Sequence, residues 1–318
     1  MKYILVGDKH LRKKAPHLSA NQRYYQWFLS QPFNSPENIY LDLGDHFDRA
    51  EPSPDETELW LSFVQGLQFK KKLWLAGNHC YSKNKETLSI QPLTQYESEG
   101  HVIVDKPMLF QEGRQRLGLL PFEYRYKGKQ DYYNELAESF GEIDLLSYHF
   151  PDETQSFGGK STGTNLSSFQ ARLRISGDIH IQGKNYLGVP FPTRKDERGQ
   201  RGQIALLDDE TGEVSYIDVP MFLDYSVVKF GNQPKMNPEG ETVLYVYDAP
   251  SFESVRNFYK NFFIGEIKLL QLKPGFSAQT EEGKEQTKDL TILEHFEEFS
   301  VNRQLDPRVK AKVLEVLK

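Results

Sequence analysis

Five short apolar runs in this chain stop at the same kind of residue. Residues 2–7 end at Gly7-Asp8-Lys9-His10, residues 39–43 at Gly44-Asp45-His46-Phe47-Asp48, and residues 72–76 at Gly77-Asn78-His79-Cys80. Residues 143–147 end at Tyr148-His149-Phe150 and residues 173–176 at Gly177-Asp178-Ile179-His180. Runs this short, rich in β-branched and aromatic residues, read as buried strands. One Gly-Asp after a strand is an ordinary turn. Five strand ends that all deliver Asp, Asn or His are a stronger constraint. In a parallel-rich α/β sheet, strand C-termini gather along one crevice, so side chains between positions 8 and 180 can converge.

The intervening segments fit that class. Residues 21–30 carry Tyr25, Phe28 and Leu29 on one side of a helix. Pro52-Ser53-Pro54-Asp55-Glu56 is a helix start with acidic residues in its first turn, and Leu59, Trp60, Phe63, Val64 and Leu67 follow at helical spacing. Further strands are expected at 108–110 and 116–120. A hairpin is expected from 203–207 and 214–219 around Asp208-Asp209-Glu210-Thr211-Gly212. The polar, glycine-rich stretch 151–171 reads as a mobile surface loop near the site. The expected fold class is α/β, a layered sandwich over residues 1–219. A small α+β unit should follow over 220–280, with strands at 227–230, 243–247 and 266–272 and a helix at 251–262. Residues 281–318 read as a linker and two helices around Asp306-Pro307.

Composition narrows the partners. With 38% hydrophobic and 26% charged residues in 318, the chain is globular. A net charge of −6 leaves no overall basic footprint, so nucleic acid must be met by a local patch, a metal or a partner. The single cysteine, Cys80, allows no internal disulfide and suits a reducing compartment. The apolar run within Met1–Asp8 is too short for a signal peptide or a membrane span, nowhere else do eighteen apolar residues run together, and the expected location is cytoplasmic.

The candidate ligands are Asp8, His10, Asp45, Asn78, His79, His149, Asp178 and His180. Mixed imidazole and carboxylate suits Mn²⁺, Fe or Zn²⁺ better than Ca²⁺. The set is too large for one closed tetrahedral site and suits two ions sharing a bridge, for which Asp45 is the natural carboxylate. Two ions about 3.5–4 Å apart clamp a phosphate and lower the pKa of a bridging water, which makes phosphoester hydrolysis feasible at neutral pH. His17, His46, His101 and His295 are read as solvent-facing or loop residues. Lys9, Arg12, Lys13, Lys14 and Arg49 flank the ligand loops and are read either as phosphate-contacting charges or as a solvated basic loop.

The ordered series Asp-x-His (8, 10), Gly-Asp-x-x-Asp (44–48), Gly-Asn-His (77–79), His149 and Gly-x-x-His (177–180) resembles the calcineurin-like metallophosphoesterase superfamily. Gly44-Asp45-His46-Phe47-Asp48 followed by Pro52-Ser53-Pro54, with Tyr186-Leu187-Gly188-Val189-Pro190-Phe191-Pro192, resembles its SbcD branch, the nuclease subunits of SbcC/SbcD recombination and repair complexes. The resemblance covers residues 1–219, more loosely 221–280, and the terminal helices only in architecture. It implies an α/β/β/α sandwich with a small capping domain and a C-terminal helix pair. It also implies one ion on Asp8, His10, Asp45 and His180 and another on Asp45, Asn78, His149 and Asp178, with Mn²⁺ preferred and Mg²⁺, Fe or Zn²⁺ as alternatives. His79 would be the general acid, and Asp48 would orient a group in the site. The implied partners are DNA, an SbcC-like ATPase docked on 286–318, and a second copy of the chain. Asp178 stands where the family usually has a second His, and Cys80 where many members carry an acid. A phosphodiesterase or phosphatase acting on a small molecule or phosphoprotein is the alternative, since one metal core serves all these chemistries. A non-catalytic scaffold is a third reading, opposed by the full ligand set.

Overall fold

The structure is a computed structural model that describes residues 1–82, 87–123, 129–153, 156–157, 160–161, 164–260 and 266–269. Its first part runs β1 (Lys2–Val6), α1 (His17–Leu29), β2 (Ile39–Asp42), α2 (Pro54–Gly66), β3 (Lys71–Leu75) and β4 (His101–Val104). Then come β5 (Met108–Phe110), β6 (Leu117–Leu120), α3 (Gln130–Phe140) and β7 (Ile143–Tyr148). The short strands β8 (Ser156–Phe157) and β9 (Lys160–Ser161) precede β10 (Ala171–Ser176), β11 (Gln203–Asp208) and β12 (Val214–Asp218). The last described elements are β13 (Leu223–Lys229), β14 (Glu241–Tyr247), α4 (Phe252–Tyr259) and β15 (Ile267–Leu269).

Two sheets face each other. One has the order β12-β11-β1-β2-β3-β4, with β1 to β4 parallel and the β11–β12 hairpin antiparallel beside them. The other has the order β10-β7-β6-β5, parallel except for β5. Alternation along the strands decides the layers. Tyr3 and Leu5 of β1 pack inward with Leu41, Leu73, Leu119, Leu145 and Ile175, between the sheets. Their neighbours Ile4 and Val6 point outward and pack with Tyr24 and Phe28 of α1 and Trp60 and Phe63 of α2. On the opposite outer face, Leu146 and Tyr148 pack against Tyr133, Ala137 and Phe140 of α3. Strands buried on both faces read as unbroken apolar runs, and the architecture is the expected α/β/β/α sandwich.

Helix α2 starts where Ser53-Pro54-Asp55-Glu56 places it. Ser53 caps the Glu56 N–H at 3.4 Å, and the Glu56 carboxylate accepts from the Ser53 N–H at 2.5 Å. Helix α1 begins four residues earlier than expected, at His17, which buries an extra turn. The four-residue edge strand β4 and helix α3 have no counterpart among the elements expected from the sequence. The expected loop at 151–171 contains the antiparallel pair β8–β9, closed by a bridge between Asp152 and Thr164.

A third sheet, β13-β14-β15, is wholly parallel and carries α4. Leu223 and Tyr225 of β13 and Val243 of β14 join the α1 side of the core, so Met1–Gln271 forms one compact unit. Leu272–Lys318 is a second unit and lies outside the described residues, as do the expected terminal helices and His295. No helix among the described residues is long and apolar enough to cross a membrane.

Three histidines expected on the surface are buried. His17 reaches Tyr225 Oη at 2.8 Å, and His46 lies between Trp60 and Trp74 with Nδ1 3.0 Å from Asp42 Oδ1. His101 is 3% exposed, stacks on Trp74 and accepts the Trp74 indole N–H at Nδ1, 3.2 Å away. Imidazole rings on an aromatic face are half-apolar plates, and local sequence does not distinguish that use from a loop position.

Burial, helped by Lys72, holds the His101 pKa down at about 4. An unfolded histidine titrates near 6.5. Between those values the unfolded chain binds a proton that the folded chain refuses, so stability is full above about pH 6.5 and falls as pH drops toward 4. The full window corresponds to about 3 kcal/mol. His101→Gln keeps an acceptor for Trp74 but cannot titrate. Its loss of unfolding free energy between pH 7 and 4.5, read by urea denaturation, should be smaller than the wild type's by about 1–3 kcal/mol. Equal losses in the two proteins would refute the assignment.

Candidate metal centre

The C-terminal ends of β1, β2 and β3 in one sheet, and of β7 and β10 in the other, meet at one edge of the sandwich. Asp8, His10, Asp45, Asn78, His149, Asp178 and His180 converge there from both sheets, where a crevice along one parallel sheet was the expectation. Donor atoms of Asp8, His10 and His180 lie within 4.8 Å of one another, as do those of Asp8, Asp45 and His149. Asp45 Oδ2 is 3.2 Å from His149 Nε2 and 3.7 Å from His10 Nε2, which places it between the two groups. Asn78 Oδ1 lies 3.1 Å from His149 Nε2, which places Asn78 on the His149 side. Asp178 is the most open of the carboxylates, with its Oδ1 4.0 Å from His149 Nε2.

Backbone geometry at the strand ends is unusual. His10 (φ 43°), Asp45 (φ 45°) and Asp178 (φ 70°) all sit in the left-handed region. Non-glycine residues rarely do so, and such strain persists where the surroundings over-determine it. Two glycines make the convergence possible. A Cβ on Gly77 would lie 2.1 Å from Asp45 Oδ1, and one on Gly44 (φ 110°) 2.4 Å from His149 Nδ1. The ligand loops are also tied to each other, since the Lys9 and His10 N–H groups both donate to the Asp45 carbonyl at 3.1 and 2.9 Å.

The hydrogen bonds orient the rings. His149 Nδ1 donates to the Leu43 carbonyl at 2.5 Å, His180 Nδ1 to Glu197 Oε1 at 2.5 Å, and His79 Nδ1 to the Asp48 carbonyl at 2.7 Å. Each Nδ1–H is therefore spent on an outer oxygen. Nε2 of His149 faces Asp45, and Nε2 of His180 faces His10 Nε2 at 2.9 Å. This is the arrangement in which proteins hold ligating imidazoles. Asp8 Oδ1 and His10 Nδ1 are buried without a hydrogen-bond partner.

Electrostatics point the same way. Burial pushes the Asp8 carboxyl up to about 7, opposed by His149 and reinforced by Asp45. At Asp45 burial acts upward too, but His149, His10 and His79 outweigh it and hold the group below the usual carboxylate range. Burial alone would lower His149, yet Asp45 and Asp8 raise it to about 10. His10 is held well below its ordinary value, chiefly by burial. Buried carboxylates that draw positive charge to themselves, with the neutral imidazole of His10 beside them, fit a divalent cation. The donor set therefore suits the ions expected from the sequence.

His79 rides a single 3₁₀ turn, Asn78–Cys80, and its backbone N–H donates to Asp45 Oδ1 at 2.9 Å. Cys80 is buried beneath that turn, its thiol pushed up to about 12 by burial and by Asp45. The orienting group for the His79 ring is the Asp48 carbonyl. The Asp48 carboxylate instead accepts from Arg12 Nη2 at 2.8 Å and lies 3.8 Å from His10 Nδ1.

The basic flank divides. Lys9 is fully buried and pairs with Asp42, which also takes the Tyr40 hydroxyl at 2.5 Å, so Lys9 is structural and not a phosphate contact. His46 and Lys9 overcome the upward push of burial and hold Asp42 well below the usual range. Arg12, Lys13, Lys14 and Arg49 line a cavity of about 290 Å³ beside Asp48, together with His17, Glu56, Glu266 and Lys268. Glu197 and Thr193 had no signal in the sequence, because neither stands at a ligand-bearing strand end or in a spaced motif, and Asp42, the last residue of β2, lies inside the apolar run before Gly44.

Comparison with known proteins adds the family. A model of the calcineurin-like phosphoesterases matches residues 1–182. No curated protein matches the chain. Among solved structures, a single mutant of Vps29 from Entamoeba histolytica is 12% identical, covering 69% of this chain and 99% of its own, with a TM-score of 0.30. A double mutant of the same protein is 13% identical over the same shares, with a TM-score of 0.27. A protein of unknown function from Aquifex aeolicus is 16% identical, covering 51% of this chain and 83% of its own, with a TM-score of 0.28. At those TM-scores the three likenesses carry no argument. The family match spans every candidate ligand from Asp8 to His180, all drawn together at one edge of the sandwich, and the chain belongs to the calcineurin-like phosphoesterase family.

Proposed function

We propose that this phosphoesterase is a nuclease of the SbcD type, cleaving DNA phosphodiesters with two divalent ions, Mn²⁺ first among them. The observation that carries the reading is a cavity in which the basic side chains Arg12, Lys13, Lys14, Arg49 and Lys268 outnumber the acids Asp48, Glu56 and Glu266, in a chain whose net charge is −6. A local basic rim on an acidic protein is what a polyanionic strand needs near the reacting bond.

In this reading Asp8, His10, Asp45 and His180 hold one ion, and Asp45, Asn78, His149 and Asp178 hold the other. Ions bound there act as Lewis acids on a phosphate and lower the pKa of the attacking water. His79, with its Nδ1–H held by the Asp48 carbonyl, would act as the imidazolium, passing its second proton from Nε2 to the departing oxygen and remaining as the neutral Nδ1–H tautomer. Arg12 balances the Asp48 carboxylate and keeps that carbonyl in place. Residues 1–219 are the catalytic body and residues 220–280 a cap beside the crevice. An SbcC-like ATPase docks on residues 286–318, the chain pairs with a second copy, and the complex works in the cytoplasm.

The test is Mn²⁺-dependent cleavage of linear duplex, hairpin-ended duplex and bis(p-nitrophenyl) phosphate, with and without the ATPase. Cleavage of the DNA substrates, stimulated by the ATPase and lost on deleting 286–318, is the expected result. Turnover of the small diester with no cleavage of DNA, even beside the ATPase, would replace the nuclease by a small-molecule phosphodiesterase.

A further inference from the structure

Glu197 is a carboxylate with 3% of its surface exposed, placed in the loop after the last ligand strand. Its two oxygens do different things. Oε2 accepts from the Thr193 N–H (2.7 Å), the Thr193 hydroxyl (3.0 Å) and the Arg194 N–H (3.1 Å). Those bonds close the short turn Lys195–Glu197 and would suffice for a purely structural role. Oε1 is free of that duty and receives His180 Nδ1 at 2.5 Å. With both oxygens committed the carboxylate cannot turn, and the His180 ring cannot turn without breaking its bond to it.

Thr193 extends the same framework. Its carbonyl accepts from Arg12 Nη1 (2.9 Å) and from the Tyr225 hydroxyl of β13 (2.7 Å). The other Arg12 nitrogen, Nη2, holds the Asp48 carboxylate. The backbone of Thr193 therefore lies between His180 on one side and Asp48, with His79 on its carbonyl, on the other.

We propose that Glu197 is a positioning residue that presents His180 Nε2 to the metal, and that Thr193 anchors it in register with Arg12, Asp48 and the β13 strand. This rests on the reading of His180 as a ligand. Loss of such an outer partner costs about 10–100-fold in metal affinity.

The experiment is Mn²⁺ calorimetry on the full chain carrying Glu197→Ala, His180→Ala or both, with thermal unfolding in chelator recorded alongside. Glu197→Ala should weaken one of the two ions about 10–100-fold and leave the other within about threefold. In the His180→Ala background it should have no further effect, because coupled residues are not additive. Thr193→Val, which removes only the hydroxyl donor, should weaken the same ion about two- to tenfold, one hydrogen bond's worth; it carries the test if Glu197→Ala does not fold. Equal weakening of both ions, or a Glu197→Ala effect that persists in full without His180, would reduce Glu197 to a structural residue. Unchanged binding in Glu197→Ala and Thr193→Val beside weakened binding in His180→Ala would overturn this inference alone. Unchanged binding in His180→Ala would overturn the ligand reading and this inference with it.

Discussion

Asp45→Asn should cost the protein both of its divalent ions, with apparent affinity falling at least about 100-fold at each. The Asp45 side chain faces both donor groups, with Oδ2 3.2 Å from His149 Nε2 and 3.7 Å from His10 Nε2. The substitution removes the charge and turns one carboxylate oxygen into an amide nitrogen that cannot ligate a metal, at nearly unchanged size. Asparagine tolerates the left-handed φ of 45° that alanine would strain, and its amide oxygen can keep the His79 N–H now held at 2.9 Å. A circular dichroism spectrum like the wild type's is expected beside the lost binding. Calorimetry is the decisive measurement, and one fully retained Mn²⁺ site would show that Asp45 is not the shared ligand.

His79→Ala should behave oppositely. Turnover should fall about 10²–10⁴-fold, the usual worth of a positioned general acid, with two ions still bound and KM little changed. The reason lies in how the residue is held. Its backbone N–H, which survives the substitution, is the group that touches Asp45, while its ring is tied to the Asp48 carbonyl and meets the His10 ring edge to face at 4.9 Å. The ring also lies within reach of His10 and Asp48 as a third cluster of donor atoms. Loss of an ion from His79→Ala in the same calorimeter would make His79 a ligand and end the general-acid assignment. A further check uses a diester with a strongly acidic leaving group, which needs little protonation. There the His79→Ala defect should shrink.

The strand ends were legible because they obey a local rule. A strand buried on both faces must be an unbroken apolar run, and a run that stops at Gly followed by Asp, Asn or His announces both its end and its cargo. That is how the ends of β1, β2, β3, β7 and β10 were found within a residue or two. The hairpin of β11 and β12 announced itself through Asp208-Asp209-Glu210-Thr211-Gly212 in the same way. Strand β4 and helix α3 escaped, the one for its length of four residues and the other for an apolar face of only Tyr133, Ala137 and Phe140.

By itself the sequence determined the α/β class, the order of the strands that carry ligands and the identity of the ligand candidates. Each is a property of a few neighbouring residues and the period of a single element. Tertiary structure alone decided that the ligand candidates come from two facing sheets, that Lys9 is buried against Asp42, and that His17, His46 and His101 belong to the interior. It also decided that the ring of His79 rests on a carbonyl and that Glu197 stands behind His180. A charge's partner depends on what the fold brings within 3 Å, and residues 17 or 33 positions apart leave no periodic trace of that meeting.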